Sequence, residues 1–163
     1  MEIDFNLPYV FNPGSSKVDN ACALRALLEL QVTLGLAYLQ YHSAPPLYAS
    51  GVVYGRTKIW EPLPAVMLPN KHPRKVGNMT IWEPLGVTGG KRRQDCKSLG
   101  PALVAEYRHK GIGCRPTFRF NPRPENTGFL DFHILVEFPD GSHEDPSRKL
   151  GMGEDELRWF NSM

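Results

Sequence analysis

Residues 129–138 constrain the fold of this chain more than any other segment. The even positions Leu130, Phe132, Ile134, Val136 and Phe138 are all apolar, while the odd positions include Asp131, His133 and Glu137. A period of two marks a strand with one core face and one mixed face. The strand runs into Phe138-Pro139-Asp140-Gly141, which fits a type I turn with Pro at its second position and Gly at its fourth. A returning strand over 142–147 is expected, so the fold must contain an antiparallel hairpin.

Two registers are open for that hairpin. With Gly141 left-handed in a bulge, Phe138 pairs with Ser142 and paired residue numbers sum to 280. Leu135 then lies opposite Asp145. His133 becomes the diagonal neighbour of Asp145 on the same face, at roughly 7–8 Å between backbones, which the two side chains can close. A plain two-residue turn makes the sum 281 and puts His133 and Asp145 on opposite faces.

Helices precede the sheet. Asp19 or Asn20 can cap a long helix through Gln40, with Leu24, Leu27, Leu28, Leu34, Tyr38 and Tyr41 in helical register, and Pro45-Pro46 stops it. Residues 48–54 read as a short strand or extended segment. Asp95 can cap a second helix running to about Lys110, with Leu99, Leu103, Val104 and Tyr107 on one face, Gly111 as its stop and Ile112 as the apolar contact beyond it. Gly100-Pro101 offers this helix a second start, which would leave Cys96 in a loop. Residues 115–120 read as a strand, and 154–160 as a short helix docking Leu157 and Trp159 or Phe160. The order is α+β, with helices packed on an antiparallel sheet.

The 163 residues suit one domain. Residues 1–18, with Pro8, Pro13 and Gly14, read as an extended arm, and 19–163 as a single domain. Glycine and proline contribute 15 residues each, well above their usual combined ~12%, so long loops are expected. The richest such stretch, 55–90, repeats Ile59-Trp60-Glu61-Pro62-Leu63 at 81–85. Two copies do not make a solenoid, and the two tryptophans read as anchors of a loop on the core.

At 41% hydrophobic and 22% charged, the composition excludes wholesale disorder and a disulfide scaffold. The net charge of +2 favours no partner, although 71–110 holds nine Lys/Arg against three acids. Lys71, Arg74, Lys75, Lys91, Arg92 and Arg93 read as a solvated face, so nucleic acid is not an expected partner. The most apolar stretch, 24–39, is broken by Arg25, Glu29 and Gln31, and Glu2 and Asp4 open the chain. No export signal and no membrane span are expected. Cys22, Cys96 and Cys114 lack metal-type spacing and read as free thiols, Cys22 and Cys114 as small buried hydrophobes. No metal or cofactor is implied.

A thiol nucleophile needs a stabilised thiolate, a base beside it and a group that orients the base. Cys96, in the first turn after Asp95, would meet unpaired N–H groups and the positive end of the helix dipole. His133 lies on the mixed face of the best strand, and Asp145 reaches it in the bulged register. By position, Asp131 or Asp140 could replace Asp145, and His143 could replace His133.

The order Asp95-Cys96, a helix closing at Gly111-Ile112, the strand Asp131-Phe132-His133-Ile134-Leu135-Val136 and the segment 139–147 resembles the transglutaminase-like superfamily of cysteine enzymes, with their papain-like fold. It is most similar to the small versions encoded by tailed bacteriophages, and 47–54 after a long helix extends the likeness over about 21–151. The resemblance implies Cys96 as nucleophile, His133 as base and acid, and Asp145 as orienter. It implies a peptidase, amidase or cross-linker acting on protein or peptide, in the host bacterial cytoplasm or in the virion. The alternative is a non-catalytic structural or assembly component that contacts neighbouring phage proteins. Where relatives commonly carry Gly before Asp-Cys and acids after it, this chain has Gln94, Lys97 and Ser98.

Overall fold

A computed structural model describes residues 17–55, 93–122 and 130–153. The first sixteen residues of the arm expected over 1–18, the repeated segments around Trp60 and Trp82, most of the basic cluster and the helix expected over 154–160 lie outside the described residues, and the arm's last two residues belong to a helix.

Helix α1 (Lys17–Tyr41) starts two residues before the expected Asp19 cap. Its core stripe also differs from expectation: Leu24, Leu28 and Val32 are buried, Leu36 and Leu39 pack beside them, and Tyr41 is 82% exposed. Leucines on almost every side of this helix leave its period ambiguous in sequence, and the packing selects the four-residue steps. Gln31 is buried on α1, and neither of its amide atoms has a hydrogen-bond partner among the described residues.

Beyond Pro46 the chain does not run straight into a strand. A 3-10 turn (Leu47–Ala49) forms first, with Ser50 Oγ donating to the Leu47 carbonyl at 2.7 Å, and Gly51 reverses the backbone at φ 79°. Strand β1 (Val53–Tyr54) then pairs in parallel with β2 (Arg93–Gln94), a contact between distant segments.

Helix α2 (Cys96–His109) begins at Cys96 rather than at Pro101. Asp95 accounts for this: its side chain accepts from the Lys97 N–H at 3.1 Å, and its carbonyl accepts from Ser98 and Leu99. The first turn is therefore held before Pro101 withdraws a donor. At the other end Gly111, at φ 78°, donates to Arg108, and Ile112 donates to Tyr107 at 2.9 Å, which is a Schellman closure.

The antiparallel sheet has the order β3 (Arg115–Pro122), β4 (Leu130–Glu137), β5 (His143–Glu144). Ile134 and Val136 are fully buried against residues of α1 and α2, including Leu28, Leu99 and Leu103. A buried leucine of this kind contributes about 1.5–3 kcal/mol. Gly100 permits the close approach: a Cβ there would stand 2.5 Å from Ile134 Cγ2. The architecture is α+β.

Two expectations about the sheet need correction. The odd face of β4 is more buried than a solvent-facing mixed surface would be, because His133 and Leu135 are buried while Glu137 is partly exposed. The returning strand ends at Glu144 instead of Ser147, because Asp145-Pro146 opens a short helix, α3 (Pro146–Lys149). Pro146 has no N–H for a ladder and suits the first helical position.

Candidate active site

The hairpin takes the bulged register. Gly141, at φ 81°, donates to the Phe138 carbonyl at 2.9 Å, and Phe138 donates to Ser142 at 2.9 Å. The pairs Val136↔Glu144 and Glu137↔His143 both sum to 280. Continued by one step, this register sets Leu135 across from Asp145 and leaves His133 diagonal to it. The side chains close the gap: His133 Nε2 lies 2.8 Å from Asp145 Oδ2.

Asp145 is fixed from a second side. Its Oδ1 accepts from the Arg148 N–H at 3.0 Å, and Ser147 also contributes a backbone hydrogen bond, so the carboxylate caps α3 while it holds His133. Burial pushes the Asp145 carboxyl upward, but the imidazole and the backbone donors outweigh it and hold it below the usual range. The side chain of Asp131 lies outside the described residues, and the other two competing candidates are placed elsewhere. Asp140 accepts from the N–H and Oγ of Ser142 within the turn, and His143 is exposed opposite Glu137.

Cys96 comes from a different element. As the first residue of α2, its N–H is among the donors that helix geometry leaves without an intrahelical acceptor. It is half-buried against the cluster of Leu24, Leu28, Ile134, Phe118 and Phe132. The close contact of Gly100 with Ile134 sets α2 beside β4, and the Cys96 thiol is within hydrogen-bonding reach of His133.

His133 is only 3% exposed. Burial alone would pull its pKa down. Hydrogen bonds to Asp145 and Cys96, together with their charges, overcome that and raise it to about 9. Neither other cysteine shares this setting. Cys22 is exposed on α1, contrary to the buried role expected for it, and burial pushes the half-buried Cys114 thiol up.

Gln94, which the sequence offers as a helper of the Cys96 N–H in an oxyanion hole, is almost fully buried on β2 directly before Asp95. Sequence reasoning missed two features of the neighbourhood. Asp-Pro at 145–146 is a capping signal that the strand pattern hid. Glu144, the neighbour of Asp145, accepts from Tyr48 and Tyr107, and no local pattern announces contacts so distant in sequence.

Among the described residues, no group of three or more His, Cys, Asp or Glu is arranged to hold a metal ion. Nor is any helix there long and apolar enough to cross a membrane. Comparison with protein-family models, curated proteins and solved structures found no match.

Proposed function

We propose that this chain is a cysteine acyl-transfer protein of the transglutaminase-like kind, with Cys96, His133 and Asp145 as its triad. The observation that carries the reading is the connected line from thiol to imidazole to carboxylate: Cys96 within reach of His133, and His133 Nε2 2.8 Å from Asp145 Oδ2. Three residues from three elements meet in the order that thiol catalysis uses.

In this mechanism the Cys96 sulfur attacks a carbonyl carbon as a thiolate, its proton having passed to His133. The Cys96 N–H, at the positive end of α2, donates to the oxyanion. The tetrahedral intermediate collapses with release of an amine, which takes the proton from His133, and a thioester remains on Cys96. Water or a lysine amine then attacks the thioester, returning the thiol and giving hydrolysis or a cross-link. Asp145 stabilises the imidazolium and fixes the tautomer throughout. The protein or peptide substrate and the bacteriophage setting follow from the sequence resemblance.

Alkylation by iodoacetamide tests the reading. At pH 7 Cys96 should react about tenfold faster than the more exposed Cys22, and His133→Gln should remove that advantage. A Cys96 slower than Cys22 and indifferent to His133→Gln would overturn it. The non-catalytic assembly component would then be the better reading.

A further inference from the structure

Beside the triad lies a second carboxylate that the mechanism above does not use. Glu144 Oε2 accepts from the Tyr107 hydroxyl at 2.8 Å, and Oε1 accepts from the Tyr48 hydroxyl at 2.6 Å and from Lys149 Nζ. These donors come from α2, the 3-10 turn after α1, and α3. Lys149 also sits over the Tyr48 ring, 5.1 Å from its centroid. We propose that Glu144 is a positioning residue for the triad, tying the strand that leads to Asp145 to the helix that carries Cys96.

The sheet alone holds this edge weakly. Strand β5 has two residues and two backbone partners, Val136 and Glu137. Asp145 follows immediately, at the point where the chain leaves the ladder for α3. Asp145 is held locally by His133 and by the α3 backbone, but a strand this short does little to tie that unit to the helix that carries Cys96. Glu144 supplies that tie. Tyr107 is on the same rigid helix as Cys96, eleven residues on, so a bond from Tyr107 to Glu144 fixes β5 relative to the helix that presents the thiol.

The chemistry suits a permanent anchor. Phenol-to-carboxylate hydrogen bonds are charge-assisted and roughly twice as strong as neutral ones. Burial opposes the ionised Glu144, but Lys149, Tyr48 and Tyr107 outweigh it and hold its carboxyl below the usual range. Burial and then Glu144 push the Tyr107 phenol up to about 12 and move Tyr48 in the same direction, so both remain donors at neutral and mildly alkaline pH. Asp145 adds to the field at Tyr48, and Glu144 in turn acts on the Cys114 thiol. His133 itself is faced by Asp145 and Cys96.

The inference rests on the triad reading, and its test separates the two. In the full-length protein, the His133 imidazole is titrated by NMR in wild type, Glu144→Gln, Tyr107→Phe, Lys149→Gln and Asp145→Asn. The expected result is that Glu144→Gln and Tyr107→Phe lower the His133 pKa by about one pH unit, as the Asp145 contact loosens, and Asp145→Asn lowers it further. Lys149→Gln, which keeps both tyrosine bonds, should leave it within a few tenths. A His133 unmoved by Glu144→Gln yet shifted by Asp145→Asn would overturn the positioning role and spare the triad. A His133 unmoved by Asp145→Asn would overturn the triad itself, and the positioning role with it. If Glu144→Gln fails to fold, Tyr107→Phe decides on the same terms.

Discussion

His133 Nε2 and Asp145 Oδ2 stand 2.8 Å apart across a hairpin whose register depends on one left-handed glycine. Without the extra residue at Gly141, Asp145 would turn to the opposite face of the ribbon. The turn and the proposed acid-base pair are thus one feature of the sequence, read at two scales.

Because Asp145 also caps α3, its substitutions should separate two effects. Asn is a good cap, so Asp145→Asn should keep α3 and most of the stability while lowering turnover by about 10³-fold or more. Asp145→Ala should lose turnover similarly and also cost about 1 kcal/mol of stability in a urea titration. Equal turnover in wild type and Asp145→Asn would move the acid's role elsewhere, with Asp131 the next candidate.

The pH dependence of stability follows from the same pair. His133 has its pKa raised to about 9 in the folded protein, so its contribution is complete below its unfolded value of about 6.5 and is lost as pH rises through 9. Asp145 is lowered, so its contribution is present above about 3.8 and is lost as pH falls below that. The Tm of wild type should fall on both sides of this window. In His133→Gln the alkaline decline between about 6.5 and 9 should largely flatten, as differential scanning calorimetry across pH can check.

Gly100 should tolerate no side chain. A Cβ there would meet Ile134 Cγ2 at 2.5 Å, so Gly100→Ala should destabilise the protein by about 1–3 kcal/mol despite the better helix propensity of Ala. Ile134→Leu removes the Cγ2 branch. Adding it to Gly100→Ala should recover part of the loss, a coupling that a double-mutant cycle in denaturant would measure.

Gln31 offers the opposite kind of change. Its amide is buried on α1 with no hydrogen-bond partner among the described residues, so Gln31→Met, of similar shape, should raise stability by about 1–2 kcal/mol. The urea midpoint should rise without a change in slope.

Legibility in the sequence tracks how local each cause is. Asp95 as a cap, Gly111-Ile112 as a stop and Gly141 as a bulge act within a few residues, and the chain displays them openly. The register that joins His133 to Asp145 follows from the last of these. The parallel pairing of Val53–Tyr54 with Arg93–Gln94, the burial of His133 and Leu135 on β4 and the grip of Tyr48 and Tyr107 on Glu144 depend on tertiary contacts across tens of residues. The short α3 was hidden for another reason: Asp-Pro at 145–146 reads as strand continuation until Pro146 is weighed as a missing donor.

The most direct measurement of the central claim is transfer of an acyl group to the protein. An activated p-nitrophenyl ester is mixed with the full chain, the reaction is quenched in acid, and peptide mass mapping locates the adduct. The account predicts a thioester on Cys96, with none on Cys22 or Cys114, and loss of at least about 99% of that adduct in His133→Gln at equal times. Acylation spread evenly over the three cysteines, or an adduct on Cys96 that forms as fast in His133→Gln as in wild type, would contradict it.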